Sequence, residues 1–375
     1  MSRYDGLIIP RSYSEYINKT DAATLSQALQ LSGVMDAAPT EDSVKPAKSG
    51  GIYDALQSKQ PTLTFDDAPA ENSNNPVKSG GLYTLLSGIG DNIDNIIRAM
   101  HSIPRAEPKD LSPYVADGTL WKRIAGTDGF SLFDDIYVGD YIHMSRAISA
   151  YEQTGQYQET GSEYVTIADL DGAWGRGDTD PINYHHAIMV PGKGLDATEK
   201  QHFGRARMNS GNNTTGGYAG SEMHTATIGA VASSGSTAST ATINQQLYAE
   251  FGSHLKTVRE LLSNSINSSG YNRFGSATGC SNSWAWTSVQ AILMSEAEVY
   301  GTTVWSSSGY DTGTAVRQLA LFRQSEVARN NRSGYNWLKD VASAALFCGA
   351  SDLGGANYYG ASAAYTYVRP RFVIA

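Results

Sequence analysis

The 375-residue chain contains only two cysteines, Cys280 and Cys348, and no Cys-x-x-Cys pair. A disulfide framework and a cysteine-based zinc site are thereby excluded. Charge is scarce as well: Asp, Glu, Lys and Arg make up 17% of the residues, with a net charge of −9. Without a basic excess, neither nucleic acid nor an anionic bilayer is an expected partner. No apolar run approaches the ~20 residues that span a membrane, and no basic-then-apolar leader follows Met1. The expectation is a protein made in a cytoplasm, with no membrane insertion. The six tryptophans all lie at or beyond Trp121, so the first hundred residues lack the large anchors of an ordinary core.

Those first residues hold a repeat instead. Met35–Leu56 and Phe65–Leu86 align without gaps, 30 residues apart, with 12 of 22 positions identical. Lys48-Ser49-Gly50-Gly51 is matched by Lys78-Ser79-Gly80-Gly81. Each unit reads as an extended, proline-punctuated strip, a Ser-Gly-Gly turn and a helix start. Two copies are too few to bury a continuous face alone, which points to winding against other chains.

The second copy runs into an apolar seam. Leu82, Leu86, Ile89, Ile93, Ile96 and Met100 are spaced 4, 3, 4, 3, 4, alternating between the a and d positions of a heptad. Isoleucine at both positions disfavours two strands and favours three or four. Under three heptads with Gly88 and Gly90 inside them make a weak helix in isolation. Ile103-Pro104 stops it, and 105–110 reads as a linker. From Leu111 to Ala375 the pattern is that of an α+β domain. Strands are expected at Thr119–Ile124, Asp135–Ile142, His186–Pro191, Val289–Met294, Leu319–Phe322 and Arg371–Ile374. One long helix is expected over Ile243–Ile266, from apolar steps of 3 and 4, and a second near Glu222–Ala232.

The C-terminal segment has the most unusual composition. From Ala342 to Tyr367, 19 of 26 residues are Ala, Ser, Gly or Tyr, and Asp352 is the only charged one. It lies between the apolar Trp337-Leu338 and Val368–Ile374. Tyrosine supplies a large, stiff, amphipathic contact at low entropy cost, and serine and glycine shape the space around it.

Several separated stretches resemble the C-type-lectin-fold domains at the ends of phage and prophage tail proteins. These are Asn212–Met223, Met294–Gly301, Tyr335–Val341 and Val368–Ile374, while the Ser-Gly-Gly repeats resemble tail-fibre shaft modules. The resemblance implies a homotrimeric receptor-binding protein of the virion tail. Residues 1–33 would attach it to other phage tail proteins, 34–104 would form shaft repeats and a short trimeric coiled coil, and 111–375 a lectin-like head. That head would bind a host cell-surface protein or glycan. Some members of the group are diversified by a retroelement that rewrites adenines in this segment's DNA, and its Asn, Ser, Tyr, Asp, Gly and Ala fit such rewriting. Tyr358, Tyr359 and Tyr365 are the expected anchors, with Phe347, Asp352 and Asn357 tuning selectivity. Ser343, Ala345, Gly349, Ser351, Ser362 and Ala364 would set pocket shape. Period-two alternation turns some of these inward.

Other chemistry is thin. The Glu-Pro-Asn, Gln-Pro-Asp and Trp-Asn-Asp tripeptides of calcium-dependent sugar-binding lectins do not occur. Asp169, Asp171, Asp178 and Asp180 lie at calcium-like spacing without the full loop pattern, and read as a solvated acidic turn. The fold is shared with enzymes that convert cysteine to formylglycine, but two cysteines of unknown exposure support that weakly. His185, His186, His202 and His224 read as surface or capping residues. Arg176-Gly177-Asp178 matches an integrin-binding tripeptide, a coincidence at that length. A carboxylate pair drawn from Asp178, Asp180, Glu222 or Glu298 would make the chain a tailspike-like polysaccharide depolymerase, the alternative reading. No catalytic residue, metal or cofactor is expected.

Overall fold

The computed structural model describes residues 39–375 apart from 42–46, 48, 60–64, 71–72, 74, 152–158, 197, 273–274, 276, 315–316 and 330–333. The expected attachment region, 1–33, lies outside the described residues. The fold mixes helix and sheet, with one sheet curled into a half-barrel. The chain divides into two compact units, Met1–Asp91 and Asn92–Ala375.

In the N-terminal unit each Ser-Gly-Gly turn opens a helix. α1 spans Ser49–Lys59, and α2, which spans Ser79–His101, begins there too. Ahead of α2 the strip folds back on itself. Asp66 N–H donates to Pro76 O at 3.0 Å, and Lys78 N–H donates to Asp66 O at 3.0 Å. The two glycines of the turn differ in what they need. A Cβ on Gly80 would meet nothing, whereas one on Gly81 would sit 1.6 Å from Asp67 O. Only the second glycine is required, by close approach of backbone. All six seam residues of α2, Leu82 to Met100, are exposed on the single chain. Each such side chain left in water forgoes about 1.5–3 kcal/mol of burial.

In the C-terminal unit, two short helices, α3 (Ser112–Ala116) and α4 (Leu120–Ala125), precede the sheet. The strand expected at Thr119–Ile124 is therefore helical. Asp117 accepts the Thr119 backbone N–H at 2.8 Å, and Leu120 and Ile124 are buried together one turn apart. The run expected at Asp135–Ile142 is mostly irregular, because Asp135 and Gly139 take positive φ, and only β1 (Tyr141–His143) pairs. The expected linker is bonded into this unit. Arg105 pairs with Asp135 at 2.9 Å and Asp140 at 3.2 Å, and Lys109 N–H donates to Asp140 at 2.8 Å.

The main sheet is antiparallel, in the order β1, β2 (Tyr164–Leu170), β3 (Ala187–Pro191), β11 (Pro370–Ile374), β4 (Leu255–Lys256); β7 (Ile292–Leu293) also pairs with β11. The last strand is thus internal and has three partners: Phe372 faces Met189, Val373 faces Lys256 and Pro370 faces Leu293. A long hairpin, β5 (Val258–Tyr271) with β6 (Thr278–Val289), stands apart from it, as does the meander β8 (Asn336–Val341), β9 (Leu346–Ala350), β10 (Ala356–Gly360).

The long helix expected over Ile243–Ile266 ends early. α5 covers Ile243–Phe251, started by a Thr242–Gln245 capping box and stopped at Gly252, whose φ is +55°. Beyond it Val258, Glu260 and Leu262 alternate inward as strand, so steps of 3 and 4 arose from two elements in succession. The helix near Glu222–Ala232 is present as a π-helical turn, Met223–Gly229. Val289–Met294 divides between β6 and β7, and Leu319–Phe322 enters a helix, Ala320–Gln324, instead of a strand.

Candidate functional site

The 342–367 segment is not a free loop. Most of it is the β9–β10 hairpin, in which Tyr359 pairs with Phe347, Tyr358 with Cys348 and Asn357 with Gly349. Neighbouring loops hold its backbone. Ala344 N–H donates to Thr278 O, and Ala361 N–H to Ala345 O, both at 2.9 Å. The N–H groups of Met208 and Asn209 both donate to Ala361 O at 2.9 Å, and Thr214 Oγ1 donates to Ser343 O at 2.8 Å. The turn closes through Ser351, which receives Gly354 N–H on its carbonyl and Gly355 N–H on its hydroxyl. The backbone of the segment is thus tied to its neighbours through its N–H and C=O groups.

Those side chains sort clearly. Tyr365 is 51% exposed, Tyr358 is 40% exposed, and Ser362 is exposed. Ala345, Ser351, Asp352, Asn357 and Ala364 are half-buried. Four expected contact residues are buried. Phe347 and Gly349 are buried on β9, the middle strand of the meander; Ser343 and Tyr359 are also inside. Gly349 is also fixed by space, since a Cβ there would lie 2.4 Å from the Tyr359 ring and 2.7 Å from Asn336 O. It cannot vary to shape a pocket. Tyr359 packs on Trp337 (5.9 Å between centroids), Tyr335 (5.1 Å) and Tyr365 (6.5 Å), and its hydroxyl donates to Ala350 O at 3.3 Å. A chain of rings therefore runs from the buried Trp337 out to Tyr365.

Sequence reasoning missed three neighbours. Trp305 meets Tyr358 edge-on at 5.0 Å and donates its indole N–H to Ala356 O at 3.2 Å. Tyr335 meets Tyr365 at 6.0 Å, and Leu353, at the hairpin tip, is exposed. Leu353 lies within the segment, but an apolar residue does not stand out in a pattern of tyrosine, serine and glycine. Trp305 is far away in sequence, and nothing in its surroundings signals the contact.

The C-terminal unit also holds a buried ionic cluster. Arg371 donates to Glu260 and Glu298, both at 2.5 Å, and Arg176 pairs with the same carboxylates at 3.2 and 3.3 Å. Burial alone would push both carboxyls up, but the two guanidiniums outweigh it and hold them below the usual range. Arg176 is thus a buried partner in this cluster and no part of an exposed tripeptide. Three of the four carboxylates considered for hydrolysis belong to different arginines: Glu298 to Arg371, Asp178 to Arg259 and Glu222 to Arg207.

The acidic turn is likewise not solvated at its start. Asp169 and Asp171 are buried; Asp169 pairs with Arg317 at 2.9 Å, and Asp171 accepts the His186 backbone N–H at 2.9 Å. Among the described residues no group of three or more His, Cys, Asp or Glu is placed to hold a metal. Burial pushes the Cys348 thiol well up, and Glu296 and Asp340 nearby add to the effect, so it stays neutral.

Two of the histidines read as surface or capping groups are buried, His186 and His202, each bonded to backbone close by. Burial lowers His186 to about 4 and His202 to about 3. His186 Nε2 accepts Ala173 N–H at 3.0 Å, leaving Nδ1 as the donor to Tyr184 O at 2.9 Å. His202 Nδ1 accepts Gly204 N–H at 2.9 Å, and its ring stacks on Tyr367 at 3.7 Å. Each has a folded value below its unfolded one. The unfolded chain therefore takes up protons first, and the contribution to stability is lost as pH falls below about 6.5. Histidine-selective 15N NMR should find both rings neutral at pH 5.5, with opposite tautomers; a charged ring at either position would contradict this packing.

No family model, curated protein or solved structure matches the chain. Among the described residues no helix is long and apolar enough to cross a membrane.

Proposed function

We propose that this chain is the receptor-binding protein of a phage-type tail, a non-enzymatic homotrimer. Its C-terminal unit would be a lectin-like head that recognises a host cell-surface protein or glycan. The observation that carries the reading is the 342–367 segment, a charge-poor stretch whose backbone is tied down while Tyr358, Tyr365 and Leu353 face solvent. Fixed backbone with exposed, stiff aromatics is the arrangement that makes contact area inexpensive in entropy. Trimerisation rests on the exposed a/d seam of α2, which one chain leaves in water. The N-terminus would join other tail proteins in the virion.

Binding energy concentrates in a few aromatic anchors. Tyr358→Ala and Tyr365→Ala should each cost about 1–3 kcal/mol of binding, read on a glycan and surface-protein array and on host cells, with the melting temperature unchanged. Host binding that survives both substitutions would place the binding surface elsewhere. Release of reducing ends from capsule polysaccharide would favour a depolymerase instead. Sedimentation of the full-length chain should give a trimer, weakened by Ile93→Asn with Ile96→Asn while the C-terminal unit stays folded. A monomer at micromolar concentration would remove the case for a coiled coil.

A further inference from the structure

A cleft of about 440 Å³ opens beside the loop that follows β2. None of its lining residues comes from the 342–367 segment, so it stands apart from the tyrosine surface. Its walls include Trp174 and Trp286, and its rim carries Thr314 and Arg317. Trp174 is 46% exposed, a large apolar face left in water, and His185 packs against it at 5.3 Å. Trp286 is half-buried on β6, opposite Leu261, and so is carried by the long hairpin.

The polar groups around these rings are unevenly committed. Arg176, on the floor, is spent on Glu260 and Glu298, and the Thr314 hydroxyl donates to Glu260. The Asp171 carboxylate is taken by His185 and the His186 backbone N–H. Arg317 is different. One of its nitrogens holds Asp169 at 2.9 Å, yet nearly half of the side chain is exposed, and a guanidinium carries five donors. The cleft therefore offers a ligand aromatic faces and cationic donors, while its carboxylates are already occupied. A neutral sugar gives the Arg317 guanidinium only hydroxyl oxygens, whereas a carboxylate meets its charge as well. A ring with one apolar C–H face and a carboxylate needs what is here: an indole to stack on and a planar guanidinium to meet the anion. The volume suits one or two such rings.

We infer that this cleft is a second binding site, separate from the tyrosine surface, for a pyranose bearing a carboxylate. Trp174 and Trp286 supply the stacking faces, and Arg317 meets the acid. The inference does not depend on the receptor-binding reading, since any protein with this cleft would carry the same site.

The test uses the full-length chain with methyl glycosides of glucuronic, galacturonic and N-acetylneuraminic acid, and methyl glucoside and methyl galactoside as neutral controls. Binding is followed by tryptophan fluorescence and saturation-transfer NMR. At least one acidic glycoside should bind at millimolar concentration or below, at least fivefold more tightly than either neutral sugar. Trp174→Ala should weaken it tenfold or more, and Arg317→Lys should erase most of the preference for acid, because an ammonium lacks the planar fork. If loss of the Arg317–Asp169 pair perturbs folding, Arg317→Gln combined with Asp169→Asn removes both charges and should give the same loss of preference. Tyr358→Ala should leave uronide binding unchanged. Tighter binding of a short oligouronide would assign the site to a glycan chain, and equal binding to a single residue; both support the site. No binding by any acidic glycoside, equal binding of neutral sugars, or indifference to both Trp174→Ala and Arg317→Lys would overturn it. So would capture of an acidic, tryptophan-containing peptide in their place.

Discussion

Replacing Arg371 with leucine should cost the C-terminal unit about 3–5 kcal/mol, the usual penalty for breaking a buried ion pair from one side. The magnitude follows from what is left behind. Glu260 and Glu298 are fully buried, and without Arg371 they share Arg176, which reaches them only at 3.2 and 3.3 Å. A natural domain has about 5–15 kcal/mol in all, so much of the protein should be unfolded or insoluble. Urea denaturation followed by tryptophan fluorescence is the measurement, and a shift under about 1 kcal/mol would mean that water reaches the cluster. The pH dependence follows from the same geometry. Both carboxyls are held below their ordinary value of 4.5, so the unfolded chain takes up protons first as pH falls. Their contribution is complete above about 4.5 and fades below it. Burial raises Asp311 and Asp340 and works in the opposite sense. The clean signature is therefore a flatter acid limb in Arg371→Leu than in the parent.

Tyr359→Ala should be the second large effect, and it should differ in kind from Tyr358→Ala one residue away. Tyr359 is 8% exposed and packs on Trp337, Tyr335 and Tyr365. Truncating a buried aromatic ring of this kind costs about 3–5 kcal/mol through lost transfer energy and the cavity it leaves. Tyr358 has Trp305 edge-on and 40% of its surface in water, so its loss should cost well under that. Calorimetry of the two variants separates framework from surface. Equal losses of stability would mean that the hairpin has no distinct outer face. Tyr359→Phe keeps the ring and gives up only the hydroxyl bond to Ala350 O, so it should cost about 1 kcal/mol.

The sequence conveyed the architecture unevenly, for identifiable reasons. β3, β11 and the Ser-Gly-Gly helix starts were legible because an apolar run or a glycine pair imposes them locally. The Ile243–Ile266 run misled because apolar steps of 3 and 4 do not reveal a turn, and Gly252 was the one local sign of it. Thr119–Ile124 misled in the other direction, since Leu120 and Ile124 fit a helix as readily as a strand. At the candidate site, composition located the segment but not its inward face. Phe347 and Gly349 sit on the middle strand β9, and Tyr359, on the edge strand β10, is enclosed by Trp337 and Tyr335, so their burial depends on pairing and packing between distant residues. The partners of Arg371 were hidden for the same reason: Glu260 and Glu298 come from a hairpin and a helix far apart in the chain. Buried charge leaves no periodic trace.

The internal place of β11 bears on how the molecule is made. Ile374 pairs with Ala187 and with Leu255, so the sheet cannot close until every residue between those positions and Pro370 has been synthesised. Pairing across such separations is slow to form. A chain interrupted between Glu298 and Pro370 would carry β3 and β4 as two open edges, with Arg371 missing from between its carboxylates. Open edges invite pairing with other chains. Incomplete products of translation should therefore aggregate or be degraded and not persist as partly folded units, so that addition of β11 acts as a checkpoint on the whole C-terminal unit.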